Sequence, residues 1–184
     1  MKKVLSIIAI AMLSNLANAQ AFENKGNYVN FGFGLDPSGR VAATLVGYNY
    51  YNIGPVVVGY ERGITEKLGI GRLGVGGIIG HSFQGEKYGT YKTHWSRTTI
   101  IVRCAYHFDF NIDKMDVYAG VGAGTHIYSK ESTNDASYIA SSGSVGATHY
   151  VFGGIRYYFS NNLGVYAEVG DGLATFHGGL VLKF

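Results

Sequence analysis

His177-Gly178-Gly179-Leu180-Val181-Leu182-Lys183-Phe184 ends the chain. Counting back from the last residue, Phe184, Leu182, Leu180, Gly178 and Phe176 share one face, and Lys183, Val181, Gly179 and His177 share the other. One face is apolar and the other is mixed, which is the period-two signature of a strand. Termini in water fray, so a soluble protein gains little by ending inside a strand on an aromatic. A transmembrane barrel gains a great deal, because its last strand must close on its first and leave no unpaired edge in lipid.

The opposite end points the same way. Met1-Lys2-Lys3 is a short basic segment, Val4 to Leu13 is an apolar run, and Ala17-Asn18-Ala19 has the small-x-small form of a cleavage site. Together they predict a secretory leader over 1–19 and a single barrel domain over 20–184. The apolar run is shorter than the roughly 20 residues a spanning helix needs. The formal charge of +3 falls to near +1 once Lys2 and Lys3 leave with the leader. No cluster of Lys and Arg forms an electrostatic footprint, so nucleic acid is excluded as a partner. Cys104 is the single cysteine, so no internal disulfide can staple the exported chain. The 28 glycines weaken soluble elements, but a narrow barrel uses them to curve and to leave lumen space.

Alternation interrupted by turn residues predicts eight strands: Asn27–Leu35, Val56–Ile64, Leu68–Phe83, Thr93–Phe110, Met115–Lys130, Gly146–Phe159, Leu163–Gly170 and Leu173–Phe184. The expected fold is an all-β, antiparallel up-and-down transmembrane barrel. Short connections alternate with longer ones at 36–55, 84–92 and 131–144, as in barrels with short periplasmic turns and longer outside loops. Both termini then lie in the periplasm. Residues 41–50 form a rival strand; alone they give an odd count, and with a partner they give ten strands. They are assigned here to the first outer loop.

Charges fix the faces, since Arg at the lipid midplane costs about 2–4 kcal/mol. In the fourth strand Thr99, Arg103 and His107 point inward and Ile100, Val102 and Cys104 outward. The same parity directs Glu61, Arg72, Arg156, Glu168 and His177 inward, with Lys183 alongside. It turns Val121 to lipid and places Gly122 at a roomy lumen position. The predicted lumen charge network is Glu61, Arg72, Arg103, Arg156 and Glu168, with Arg156 and Glu168 as an ion pair across the Ser160–Asn162 turn, because buried opposite charges must pair.

The six histidines, at 81, 94, 107, 126, 149 and 177, lack the close spacing of a zinc motif, so no metal is expected. His81 with Ser82, and His126 with Ser129, are the candidates for an acyl-transfer constellation, but the sequence places no acid beside either. Gly69-Ile70-Gly71-Arg72-Leu73-Gly74 matches the dinucleotide fingerprint, yet it lies within a strand that no helix follows. No cofactor and no catalytic residue is assigned.

The chain resembles the small bacterial outer-membrane barrels of the OmpA transmembrane-domain, OmpX and opacity-protein type. The resemblance rests on the leader, the alternation, the Val117-Tyr118-Ala119-Gly120-Val121-Gly122-Ala123-Gly124 strand and the last eight residues. Within those eight, His177, Gly179, Leu182 and Phe184 occupy the positions of the family's C-terminal assembly signal. The resemblance implies outer-membrane lipid and the barrel assembly machinery as partners. It also implies a host or envelope ligand at loops 36–55, 84–92 and 131–144, and a non-enzymatic structural or surface-interacting role. A barrel enzyme that modifies lipid A and a soluble lipocalin-like binder with an apolar interior are the alternatives. Passive conduction is not expected, since porins use about 16–18 strands.

Overall fold

The computed structural model describes residues 21–35, 49–88, 91–133 and 139–184. Eight strands, β1 (Asn27–Leu35), β2 (Asn49–Gly63), β3 (Gly71–Tyr88), β4 (Tyr91–Phe108), β5 (Met115–Thr133), β6 (Ile139–Tyr158), β7 (Leu163–Asp171) and β8 (Phe176–Lys183), follow one another around the sheet. The sheet is a closed antiparallel barrel, with β8 paired to β1 from Tyr28↔Lys183 to Leu35↔Phe176. Reciprocal backbone hydrogen bonds between Asn27 and Phe184, both 3.0 Å, finish the seam. The leader and residues 41–48 lie outside the described residues.

Alternation carries through to burial. Arg103, Ala105 and His107 of β4 are buried, whereas Val102 is 72 % exposed. Leu180, Phe31, Val58, Ile79 and Ile100 are direct cross-strand neighbours, and all are exposed on the outside. Val121, Val151 and Val165 continue the apolar surface on β5, β6 and β7. A contiguous apolar ring of this extent is costly in water and is solvated by acyl chains. Arg62, the outward-facing cation of β2, pairs in register with Asn27 at the end of the ring where the termini lie, a position from which its guanidinium reaches water.

The strands are unequal. β1, β7 and β8 have 9, 9 and 8 residues, close to the roughly 9–11 that cross a bilayer. β3 to β6 have 18 to 20, and their excess projects from the end opposite the termini. The predicted loops 84–92 and 131–144 are therefore largely strand: Gln84 pairs with Trp95, and Glu131 with Ser141. The end of the 36–55 segment likewise belongs to β2, which starts at Asn49. These stretches hid from the sequence because a sheet with two wet faces has no apolar period to reveal it. Conversely, β8 begins at Phe176, not Leu173. Gly172 adopts φ +105°, a left-handed conformation that turns Leu173 and Ala174 into the barrel, where both are buried.

Candidate functional site: a capped lumen beneath a raised rim

Four of the five predicted lumen charges meet at the barrel axis. Glu61 accepts from Arg156 and shares a 2.8 Å hydrogen bond with His107 Nε2. Asp116 contacts the same two residues, Arg156 Nη1 at 3.3 Å and His107 Nδ1 at 2.8 Å, so the four side chains form a ring. Arg103 links this ring to a second centre. Its Nη2 lies 3.6 Å from Glu61, and its Nη1 donates to both oxygens of Glu168 at 3.0 and 2.9 Å. Glu168 also accepts from Tyr118 at 2.9 Å and from Tyr150, and it contacts His177 Nε2 at 3.0 Å. Three carboxylates thus face two guanidiniums and two imidazoles, all buried. The Tyr118 ring lies between the guanidiniums, 5.7 Å from Arg103 and 4.7 Å from Arg156, adding cation–π attraction.

Three predictions need correction. Arg156 and Glu168 do not pair: the β6–β7 register sets Arg156 opposite Tyr166 and Glu168 opposite Gly154. Arg156 instead meets Asp116, its register partner on β5, and Glu61 on β2, while Glu168 meets Arg103 on β4. A closed barrel brings all eight walls to one axis, so chain proximity does not rank the partners. Arg72 also stays outside the network. It binds Asp109 at 3.3 Å near the end that carries the termini, and Lys67 joins the same carboxylate at 3.2 Å. Asp116 was missed, although its parity with Tyr118 on β5 is the signal that finds it. The roomy position expected at Gly122 is filled too, since a Cβ there would stand 2.6 Å from Val102 O and 2.8 Å from Ile101 Cγ2.

Both ends of the network are capped, which the sequence reading did not anticipate. At the end with the termini, Ala21 and Phe22 are buried. The Phe22 ring stacks on His107, centroids 3.4 Å apart, and on Tyr28 at 4.7 Å. Gly74 makes room for it, because a Cβ there would meet Phe22 Cζ at 2.9 Å. Glu23 holds the segment by an ion pair to Lys183 at 2.7 Å, and its N–H donates to the Tyr28 hydroxyl at 2.7 Å. At the other end Leu173 descends from the β7–β8 turn into an apolar layer with Val57, Ile78, Ile101, Tyr150 and Phe152. The interior is therefore half ionic and half apolar, and it is filled.

Above the Leu173 cap, the extended strands enclose a cleft of about 390 Å³ edged by Arg97, His126, Thr148, Asp171 and Thr175. The candidate nucleophile pairs do not assemble around it. His81 and Ser82 occupy opposite faces of β3, and His126 and Ser129 opposite faces of β5, because odd and even residues alternate. His81 Nδ1 is engaged by Thr98 Oγ1 at 2.8 Å, and His126 Nδ1 by Thr99 Oγ1 at 2.9 Å. Among the described residues, no three His, Cys, Asp or Glu side chains gather as a metal site.

No protein-family model and no curated protein matches the chain. Among solved structures it is similar to Ail, the attachment invasion locus protein of Yersinia pestis, at 10% identity and a TM-score of 0.50, covering 88% of this chain and 96% of that one. A second structure of Ail, in complex with the heparin analogue sucrose octasulfate, matches with the same values. The chain has the closed, eight-stranded antiparallel barrel fold of Ail, a small outer-membrane barrel.

Proposed function

We propose that this chain is a non-enzymatic integral outer-membrane protein that acts on partners outside the cell through its raised rim. The observation that carries this reading is the division of the molecule into a lipid-solvated ring, a filled lumen and a polar sheet extension. A lumen capped by Phe22 and Leu173 leaves no conduit, so the surface available for function is the rim. Leader cleavage after Ala19 releases the mature N-terminus in the periplasm, beside the C-terminus. The assembly machinery recognises His177, Gly179, Leu182 and Phe184. The rim, including the described parts of the predicted loops at 49–55, 84–88, 91–92, 131–133 and 139–144, then faces outward. The opposed faces of His81/Ser82 and of His126/Ser129 support a non-enzymatic role. The heparin analogue bound by Ail supports a ligand at the rim.

Orientation is tested by labelling intact cells with a membrane-impermeant maleimide in a Cys104→Ser background. Ser142→Cys on the rim should react at once, and Asn161→Cys, in the turn at the other end, only after the outer membrane is permeabilised. The reverse pattern refutes the assignment. Lipid A mass spectra with and without the protein should be identical.

A further inference from the structure

The rim's inner face carries chemistry that the lumen and the lipid ring do not use. Cross-strand register sets Arg97, Tyr128 and Ser144 on one rung of β4, β5 and β6, and Trp95, Lys130 and Ser142 on the next rung outward. His126 lies one rung below, beside Gly146, where an added Cβ would meet nothing within 4 Å. This column of cations and aromatic rings stands directly over the 390 Å³ cleft, which Arg97 and His126 also line. Arg97 is anchored from beneath, its Nη2 donating to Leu173 O at 3.2 Å. Lys130 Nζ stands 5.7 Å from the Trp95 ring centroid, and the His126 and Tyr128 rings are 5.6 Å apart. Asp171, at the edge of the cleft, is engaged by His149 at 3.2 Å.

We propose that this inner face and the cleft beneath it form a binding subsite for an acidic saccharide. The reading rests on the rim being an outward-facing interaction surface, as argued above. Each part of a sulfated or phosphorylated sugar has a counterpart there. The C–H face of a pyranose ring is apolar and fits an aromatic ring, which Trp95 and Tyr128 present. The anionic substituent matches the planar donor fork of Arg97 and the point charge of Lys130. Ring hydroxyls match Ser142, Ser144 and Thr148. The cleft has the volume of a small-ligand site, enough for one or two sugar rings.

Trp95 is the single tryptophan of the chain, so its emission reports on this site alone. The refolded barrel in detergent is titrated with a heparin-derived tetrasaccharide, with phosphorylated lipopolysaccharide core oligosaccharide, and with neutral sucrose. The proposal expects a saturable change in Trp95 emission with at least one acidic saccharide and none with sucrose. The acidic probe that binds more tightly identifies the source of the ligand. Lys130→Gln and Arg97→Gln should each weaken binding by about tenfold or more, the loss of one charge-assisted hydrogen bond. Glu131→Gln, on the outward face of the same strand, should leave it unchanged. Lys130→Gln keeps the test valid if loss of Arg97 disturbs the Leu173 cap. Equal binding of sucrose, or acidic binding untouched by Lys130→Gln in a correctly folded barrel, overturns the proposal. Capture of heparin by the immobilised barrel without any Trp95 response also overturns this site, while the outward-facing reading survives. Failure of the Ser142→Cys labelling removes that reading itself.

Discussion

Arg103 holds Glu168 through two hydrogen bonds of 3.0 and 2.9 Å across the barrel axis, although 65 residues separate them. Neither group reaches bulk water, and Glu168 satisfies its remaining acceptor capacity with Tyr118, Tyr150 and His177. Pairs of this kind are expensive to break and contribute little net stability over an apolar filling. Their effect here is to fix one arrangement of the lumen.

Glu168→Ala should therefore destabilise the barrel by about 3–5 kcal/mol, because it leaves buried Arg103 only the longer 3.6 Å contact to Glu61, a carboxylate that Arg156 and His107 already share. The double variant Arg103→Met/Glu168→Met should cost less than the single one. Urea titration in lipid vesicles measures both. A double variant weaker than Glu168→Ala would mean that the remaining network, not the lone charge, dominates.

Phe22→Ala tests the cap at the end with the termini. Truncating this buried ring should cost about 3–5 kcal/mol, the usual range for a packed aromatic. Faster hydrogen exchange should be confined to the neighbouring rungs of β1 and β2, around Tyr28 and Glu61, and spare the Leu173 layer. Unchanged exchange at those rungs would show that the segment is dispensable.

Charge tolerance should follow parity at Val58 and Gly59. Val58→Arg places a guanidinium against acyl chains and should cost about 2–4 kcal/mol. At Gly59, pointing inward, a Cβ meets Ile78 Cγ1 at 3.5 Å and Asn30 at 3.7 Å, ordinary contact distances. Gly59→Ser should cost less, since its hydroxyl lies beside Asn30, whose buried Oδ1 lacks a partner among the described residues. Refolding and urea titration of both variants would expose an inverted β2.

Phe184→Ala separates assembly from stability. The ring is 67 % exposed on the apolar side, while the backbone makes the Asn27 pair. The substitution keeps that pair, so refolded protein should lose at most about 1.5–3 kcal/mol. Outer-membrane levels in cells should nevertheless fall sharply. Normal levels would refute the assembly-signal reading.

The closed seam predicts heat-modifiable migration. With no edge for detergent to open, unboiled protein should run faster in SDS than boiled protein. Identical migration would argue against closure.

The sequence alone predicted eight strands, the closure of the last on the first, and the inward or outward face of the residues it assigned on β2 to β8, and the described residues agree. It could do so because two unlike solvents act on the two faces of each strand, and a charge such as Arg103 or Arg156 can point only one way. Above the ring both faces are wet, so the extensions of β3 to β6 left no period and read as loops. Inside, parity placed Arg156, Glu168, Glu61 and Arg103 in the lumen but could not say which would pair, since closure brings all eight walls to one axis. The caps were beyond it as well. Phe22 and Leu173 belong to no alternating strand, and their positions follow from space that Gly74 and the Gly172 turn create only once the barrel has closed.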